Sequence, residues 1–136
     1  MSTISVASHF LVQLGSVVMA IGLIGLSIVC TVAPNTASEM YGLSLQDTSG
    51  WLAATGLRDF GLGVSTIALF VFDRPALRIF VPSLLIIPIG DAAITLLWGG
   101  SALGAATHLL GAVAILLLAV FTWLDPALDR RGRKKE

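Results

Sequence analysis

Four long apolar stretches run through the chain, and short polar or turn-forming segments separate them. Each stretch is about the 20 residues that a helix needs to cross the hydrocarbon core of a bilayer. Pro34 ends the first stretch because proline cannot continue a helix, and Thr48 or Ser49 of the segment QDTSG is expected to cap the second. The pattern predicts helices over residues 6–32, 51–72, 75–98 and 102–124.

The connections between these helices are two short turns and one longer loop, residues 33–50. Helices that are joined by short turns pack antiparallel. The predicted fold is therefore all-α: one domain, residues 1–136, formed by an antiparallel bundle of four transmembrane helices. Pro88 lies inside the third helix and is expected to kink it, because proline removes a backbone donor.

Composition places this bundle in a membrane. Of the 136 residues, 56% are hydrophobic and only 12% are charged, about half the charged fraction of an average soluble domain. A chain with so few charges cannot cover a water-facing surface, so its apolar excess must face lipid. The single cysteine, Cys30, excludes an internal disulfide, and its apolar neighbours argue against thiol catalysis.

The positive charges indicate an orientation. Arg74, Arg78 and the basic tail, residues 125–136, lie on the side of the N-terminus, whereas loop 33–50 and the turn at 99–101 contain no Lys or Arg. Because cytoplasmic loops are enriched in Lys and Arg, both termini are predicted to be cytoplasmic. The tail is interpreted as an anchor beside anionic headgroups, and nucleic acid is not expected as a partner. Its end, RKKE, also resembles a dibasic retrieval signal, and the endoplasmic reticulum is the expected compartment.

Three of the predicted helices carry ionisable residues inside their apolar runs. Arg58 and Asp59 lie in the second helix, Asp91 lies in the third, and His108 lies in the fourth. At 1.5 Å per residue, all four fall about 9–12 Å below the non-cytoplasmic surface. Ionisable residues inside a membrane cost ~2.5–3.5 kcal/mol each on insertion scales and mark functional sites by default. We therefore expect a polar layer that three helices share.

The chemistry of these four side chains favours proton transfer. Arg58 stays charged and needs a carboxylate partner in low dielectric. One of Asp59 and Asp91 can serve, and the other then shares a proton with His108, which gives the layer a labile proton near physiological pH. The alternative is a structural salt bridge with His108 hydrogen-bonded in the core. Two Asp and one His around an Arg suit a metal ion poorly, so no metal or other cofactor is expected.

Three further residues are candidates for substrate binding. Thr55 lies one turn before Asp59 on the same helix face. Tyr41, with Glu39, would cover the polar layer as a lid, and a solvated loop is the alternative. Trp98 is a third candidate and also a membrane-interface anchor.

Polar residues near the predicted cytoplasmic end are interpreted differently. His9 and Gln13 lie one turn apart on the first helix, far from the polar layer. We interpret them as interfacial or packing groups.

The segment YGLSLQDTSGWLAATGLRDFGLG, followed by one Asp in the third helix and one His in the fourth, resembles a family of small four-helix integral membrane proteins. That family is catalogued as a domain of unknown function, is common in fungi and their secondary-metabolite gene clusters, and is distantly similar to DoxX-like bundles. In such clusters, small membrane proteins are often cyclases, isomerases or hydrolases of lipophilic intermediates. The resemblance places these residues in the candidate site: Arg58 and Asp59 in GLRDFGLG, Asp91 in PIGDAAI and His108 in ATHLLG.

The predicted function is that of a cofactor-independent enzyme that takes a lipophilic small molecule from the bilayer and acts on it by proton transfer in secondary metabolism. An Arg between two Asp residues resembles limonene-epoxide-hydrolase-type enzymes, in which one carboxylic acid protonates the epoxide oxygen and a carboxylate activates water or an internal hydroxyl. On that resemblance Asp91 and Asp59 are acid and base in an order left open. Arg58 bridges them, and His108 exchanges a proton or orients the substrate. Epoxide hydrolysis, epoxide cyclisation and double-bond isomerisation all fit.

Two other classes of function stay open. A proton-coupled transporter would use the same titratable layer, in a homodimer, but polar groups beyond Ser65 and Thr66 are few. A structural or assembly subunit would use the layer to bind another helix.

Overall fold

The computed structural model describes residues 3–42 and 45–129, which are helical almost throughout and contain no strand. Among them, four segments are long and apolar enough to cross a membrane, so the chain is an integral multi-pass membrane protein, as predicted. The basic residues of the tail, beyond residue 129, lie outside the described part. The helices are α1 (Thr3–Val32), α2 (Pro34–Tyr41), α3 (Leu45–Phe72), α4 (Leu77–Ser83), α5 (Ile86–Leu97) and α6 (Ala102–Leu124), with 3₁₀ turns at Arg74–Ala76 and Pro126–Leu128.

The four spans form an antiparallel bundle with α1 and α6 in its middle. α3 packs along α1, α5 packs along α6, and α1 and α6 pack on each other. The backbones of α3 and α5 approach each other at few points, which leaves room between them. We call the end with α2 and the α5–α6 turn the loop end, and the end where α1 begins and α6 ends the terminal end.

Glycines bring α1 and α3 close together. A Cβ atom at Gly63 would lie 3.0 Å from the carbonyl oxygen of Ala20, and one at Gly56 would lie 3.0 Å from Cβ of Cys30. Small residues mark helix contacts in membranes because they let backbones approach. On the outer faces, by contrast, large apolar side chains such as Leu57 and Leu110 are exposed, as expected where helices face lipid.

The third span is not the single helix over 75–98 that the sequence predicted. α4 and α5 meet at Leu84 and Leu85, where the amide of Ile87 donates to the carbonyl of Leu84 at 3.1 Å. The break follows from Pro88, which has no N–H to donate to that carbonyl and whose ring crowds it. The expected kink is therefore confirmed, and it lies one turn before the proline.

The prediction of an irregular loop over residues 33–50 was wrong. Pro34 opens the short helix α2, since the missing N–H of a proline is not needed in a first turn. Gly42 ends α2 with φ +66°, a left-handed conformation that glycine adopts without strain. α3 then begins at Leu45, so Thr48 and Ser49 lie inside the helix and do not cap it.

Two apolar clusters fill the bundle on either side of the predicted polar layer. The cluster at the loop end contains Cys30, Ala37, Tyr41 and Leu52. The cluster at the terminal end contains Leu77, Val81, Leu118 and Ala119. The charged residues of the polar layer therefore lie between two apolar clusters.

Candidate functional site

One guanidinium joins the two aspartates of the polar layer. Nε of Arg58 donates to Oδ1 of Asp59 at 3.0 Å, and Nη1 and Nη2 donate to the two carboxylate oxygens of Asp91 at 3.1 and 2.9 Å. Asp59 and Asp91 are buried, and the side chain of Arg58 is 33% exposed. The expected pairing of a permanent cation with a carboxylate is present, and it includes both carboxylates.

The helices explain this geometry. Arg58 and Asp59 are neighbours on α3, about 100° apart around the helix. Asp59 shares a helix face with Gly63, which packs on α1, whereas Arg58 reaches Asp91 on α5. Asp91 lies on the buried face of α5, one turn after Pro88. The arginine therefore reaches across the gap and donates to both oxygens of Asp91, in the bidentate geometry that a guanidinium favours.

A cavity of about 260 Å³ lies beside the ion pair. Arg58, Asp59, Asp91, Tyr41 and His108 all contribute to its wall. The rest of its lining is mainly apolar and comes from every span: Leu23, Leu26, Met40, Leu62, Leu84, Ile87, Pro88, Thr107, Gly111 and Ile115. Five of the seven predicted site residues therefore line the same cavity.

Tyr41 lies flat on His108 at the loop-end wall of this cavity. The two rings are stacked with their centroids 4.8 Å apart and an angle of 4° between their planes. The rings of Trp51 and Tyr41 pack in a T-shaped arrangement with their centroids 5.3 Å apart, and the Tyr41 hydroxyl lies 3.9 Å from Sγ of Cys30. Burial raises the pKa of the Tyr41 phenol above its ordinary value, so this hydroxyl stays protonated. Tyr41 therefore lies in the wall of the cavity, whereas Glu39 is exposed.

Tyr41 is held in place through the backbone at the start of α6. The amide of Ser101 donates to the carbonyl of Gly42 at 3.1 Å, and the Ser101 hydroxyl accepts from the amide of Gly104 at 3.0 Å. A Cβ atom at Gly104 would overlap the carbonyl of Tyr41. The C-terminal end of α2 therefore packs directly on the first turn of α6, one turn before His108.

His108 does not make the hydrogen bond that the sequence suggested. Its Nε2 atom is buried and has no hydrogen-bond partner among the described residues. Asp91 and Arg58 are near enough to act on the imidazole electrostatically, but both Asp91 oxygens are engaged by the guanidinium. An imidazole that exchanges its proton directly with an aspartate is therefore absent from this arrangement.

The remaining two candidates for substrate binding do not line the cavity. Thr55 is buried one turn before Asp59, on the side of α3 that packs on α1. Trp98 ends α5 and is 77% exposed, which suits a membrane-interface anchor.

A second polar cluster lies at the terminal end, and it was not predicted from the sequence. Asp125 is almost fully buried, accepts a hydrogen bond at 2.9 Å from Nδ1 of His9, and accepts another from the amide of Ala127. Gln13 pairs with Nε2 of His9 at 3.0 Å, and Arg78 donates to the carbonyls of Thr122 and Trp123 at the end of α6. Its only sequence signal is the pair Asp125-Pro126, directly after the predicted last span. This cluster fastens the start of α1 to the end of α6.

The side chains at the site offer little to a cation. No group of three His, Cys, Asp or Glu side chains within the described ranges lies close enough to hold a metal. Arg58 also places its positive charge between the two carboxylates that would otherwise be the ligands.

Fold and site together define a polytopic helical membrane protein with an ion-paired polar layer beside an internal cavity. The chain belongs to the family described as Domain of unknown function (DUF4267), whose model matches residues 20–122. The match includes Arg58, Asp59, Asp91 and His108, and it confirms the resemblance to a small membrane family. No curated protein and no solved structure matches the chain.

Proposed function

We propose that the chain is a cofactor-independent intramembrane enzyme that acts on a lipophilic small molecule by proton transfer. The observation that carries this proposal is one cation held by two buried carboxylates in the wall of a mainly apolar cavity. Two carboxylates and one guanidinium carry an excess negative charge, and a bound proton would neutralise it in low dielectric. A site of this composition can give a proton to a substrate and take one back.

The hydrogen bonds of Arg58 suggest different roles for the two aspartates. Both oxygens of Asp91 accept hydrogen bonds from the guanidinium, so the cation engages this carboxylate completely. Asp59 receives a hydrogen bond at Oδ1, and among the described residues none reaches Oδ2. We therefore assign Asp59 as the group that carries the exchangeable proton and Asp91 as the carboxylate partner.

Epoxide opening illustrates how the site would work. Protonated Asp59 gives its proton to the epoxide oxygen as the carbon–oxygen bond breaks. Water, or a hydroxyl of the substrate, attacks the carbon and releases a proton to Asp91, which becomes transiently neutral. That proton then returns to Asp59, and Arg58 stabilises whichever carboxylate is charged. Double-bond isomerisation would use the same groups, with one carbon losing a proton and another gaining one.

The surroundings of the site favour a substrate that arrives from the bilayer. The wall of the cavity is mainly apolar, and its volume of about 260 Å³ lies just below the usual range of ligand pockets, ~300–1,000 Å³. The partly exposed Arg58 faces the gap between α3 and α5, where the helix backbones approach at few points. A small lipophilic molecule can enter through this gap without crossing water.

A carrier is less well supported than an enzyme. It would need a polar route from the layer to both faces of the membrane. The apolar cluster of Leu77, Val81, Leu118 and Ala119 occupies the bundle between the layer and the terminal end.

Turnover of lipophilic epoxides and alkenes by the purified protein in lipid nanodiscs tests the proposal. Product analysis by mass spectrometry should find diol, cyclic ether or isomer, and Asp59→Asn should lower the rate at least about 100-fold, as loss of a general acid does. Glu39→Gln is the matched control, since it makes the same acid-to-amide change on an exposed side chain near the loop end. No product from any probe, or full activity in Asp59→Asn, would overturn the enzyme. Uptake into vesicles driven by a pH gradient, without product, would establish the carrier.

We also propose that both termini are cytoplasmic and that the protein resides in the endoplasmic reticulum. The absence of Lys and Arg from the segment 98–107 and their presence at residues 74 and 78 support this orientation. Glycosylation acceptor sites introduced in the turn at 99–101 and after residue 136 provide the test. Sugar should be added only at the turn, and addition at the C-terminus would reverse the orientation.

A further inference from the structure

His108 lines the cavity and carries a hydrogen-bonding atom that has no partner among the described residues. The residue is 8% exposed, and the atom is Nε2. A buried polar group without a partner costs free energy, and such groups in native proteins call for an explanation. A ligand that supplies the missing partner would provide one.

Two other buried hydroxyls without partners differ from His108 in their location. Within the described part of the chain, Oγ of Ser16 and Oγ1 of Thr95 also have no hydrogen-bond partner, but neither residue lines the cavity. Hydroxyls in membrane helices also have neighbouring backbone carbonyls within reach, which an imidazole Nε2 atom does not. The orphaned atom of His108 therefore points to a ligand more directly than the other two.

The surroundings of His108 hold the imidazole in one orientation. Tyr41 covers one face of the ring, and Tyr41 is itself held by Trp51 and by its close approach to Gly104. A group fixed before the ligand arrives loses little entropy on binding, so a single hydrogen bond to it contributes more to affinity.

We infer that the ligand is a lipophilic alcohol whose hydroxyl binds Nε2 of His108 while its reacting group lies at Asp59. A hydroxyl is favoured because it both donates and accepts, so it satisfies Nε2 in either tautomer of the imidazole. The ligand's apolar body then fills the space between Leu26, Leu62 and Ile115. The reacting end of this inference rests on the proposed function, whereas the hydroxyl end can be tested by binding alone.

The volume of the cavity limits the size of the ligand. About 260 Å³ equals the liquid volume of roughly nine water molecules. Ligands with on the order of ten non-hydrogen atoms fit this space. Octanol and octane are therefore suitable probes, with one apolar body and a single difference, the hydroxyl.

Nitrogen NMR of the two histidines is the test. The full chain, labelled in its imidazole nitrogens and placed in nanodiscs, contains only His9 and His108. Octanol should shift the Nε2 resonance of His108 in a saturable way and leave His9, at the terminal end, unchanged. Octane should leave both in place. His108→Phe, which keeps a ring for Tyr41 to stack on but removes Nε2, should weaken octanol binding about tenfold and leave octane binding unchanged.

Two outcomes would overturn the hydroxyl site. These are equal shifts of His108 with octanol and octane, and octanol affinity that survives in His108→Phe. A selective shift of His108 in a protein that turns over no epoxide or alkene would keep the alcohol site and remove the enzyme. Turnover by a protein whose His108 resonance responds equally to octanol and octane would support the enzyme proposal and overturn the alcohol-binding site.

Discussion

Arg58 on α3 and Asp91 on α5 join two helices that otherwise scarcely meet. Two N–H groups of the guanidinium donate to the two carboxylate oxygens, at 3.1 and 2.9 Å, across the gap between the helices. The same guanidinium also donates a hydrogen bond to Oδ1 of Asp59. The ion pair is therefore both a wall of the cavity and a fastening between the two outer helices of the bundle.

The first prediction concerns this fastening. Arg58→Gln leaves Asp91 buried without a cation and should lower the free energy of unfolding by about 2–4 kcal/mol. This is less than the loss of a fully buried pair because one third of the arginine side chain is exposed. In Arg58→Gln with Asp91→Asn, the second change should recover part of the loss, with a coupling of at least about 1 kcal/mol. Denaturant unfolding in detergent micelles measures the free energy of unfolding of the unchanged protein, the two single variants and the double variant. Additive losses in the double variant would contradict the pairing.

The second prediction concerns the contact of α1 with α3. Gly63→Ala places a methyl group 3.0 Å from the carbonyl of Ala20, which belongs to the backbone and cannot move aside. The expected loss of stability is about 1–3 kcal/mol. Gly61→Ala, two residues earlier on the same helix, meets open space and should be neutral or stabilising by about 0.5–1 kcal/mol. Thermal unfolding of the two variants provides the comparison, and equal behaviour would mean that α1 and α3 pack differently.

The third prediction concerns Asp125 at the terminal end. Asp125→Ala removes the acceptor of two hydrogen bonds, from His9 and from the amide of Ala127, and should cost about 1–2 kcal/mol. Asp125→Asn should cost less, because asparagine caps a helical turn nearly as well as aspartate. Unfolding measured for both variants checks this order. Identical losses would assign the whole effect to the negative charge.

The fourth prediction uses the only tyrosine of the chain, Tyr41. Because burial raises the pKa of its phenol, tyrosinate should form only well above pH ~10 in the folded protein, as followed by ultraviolet absorbance. The unfolded phenol loses its proton at lower pH than the folded one, so the free energy of unfolding should fall as pH rises above about 10. Below that pH both states are protonated, and Tyr41 causes no pH dependence. Ordinary titration of Tyr41 would show that the ring is not packed between Trp51 and His108.

Gly104→Ala provides a matched comparison for the Tyr41 titration. Its methyl group overlaps the carbonyl of Tyr41 and should displace the ring, which would bring the pKa of the phenol down toward its ordinary value. Gly22→Ala, which meets open space on α1, should leave the titration unchanged.

The sequence alone was sufficient for the four spans and for the depth of the polar layer. Length and hydropathy are local properties, and the predicted bounds of the last span, 102–124, are those of α6. Depth follows from counting residues along a helix of known rise, so Arg58, Asp59, Asp91 and His108 could be assigned to one level. The helix within segment 33–50 was not predicted because it is short and polar, and so lacks the long apolar run that identified the four spans.

Only the tertiary structure decided which of these side chains meet. Arg58 and Asp91 are 33 residues apart, and His9 and Asp125 are 116 apart, so their pairing depends on how the helix faces turn toward one another. That rotation is set by close contacts such as Gly63 against Ala20, and by the seat of Tyr41 on Gly104, which places an aromatic ring where an aspartate was expected beside His108. The number of residues along a helix determines the depth of a side chain in the bilayer. The packing of the helices against one another determines which side chains at that depth are in contact.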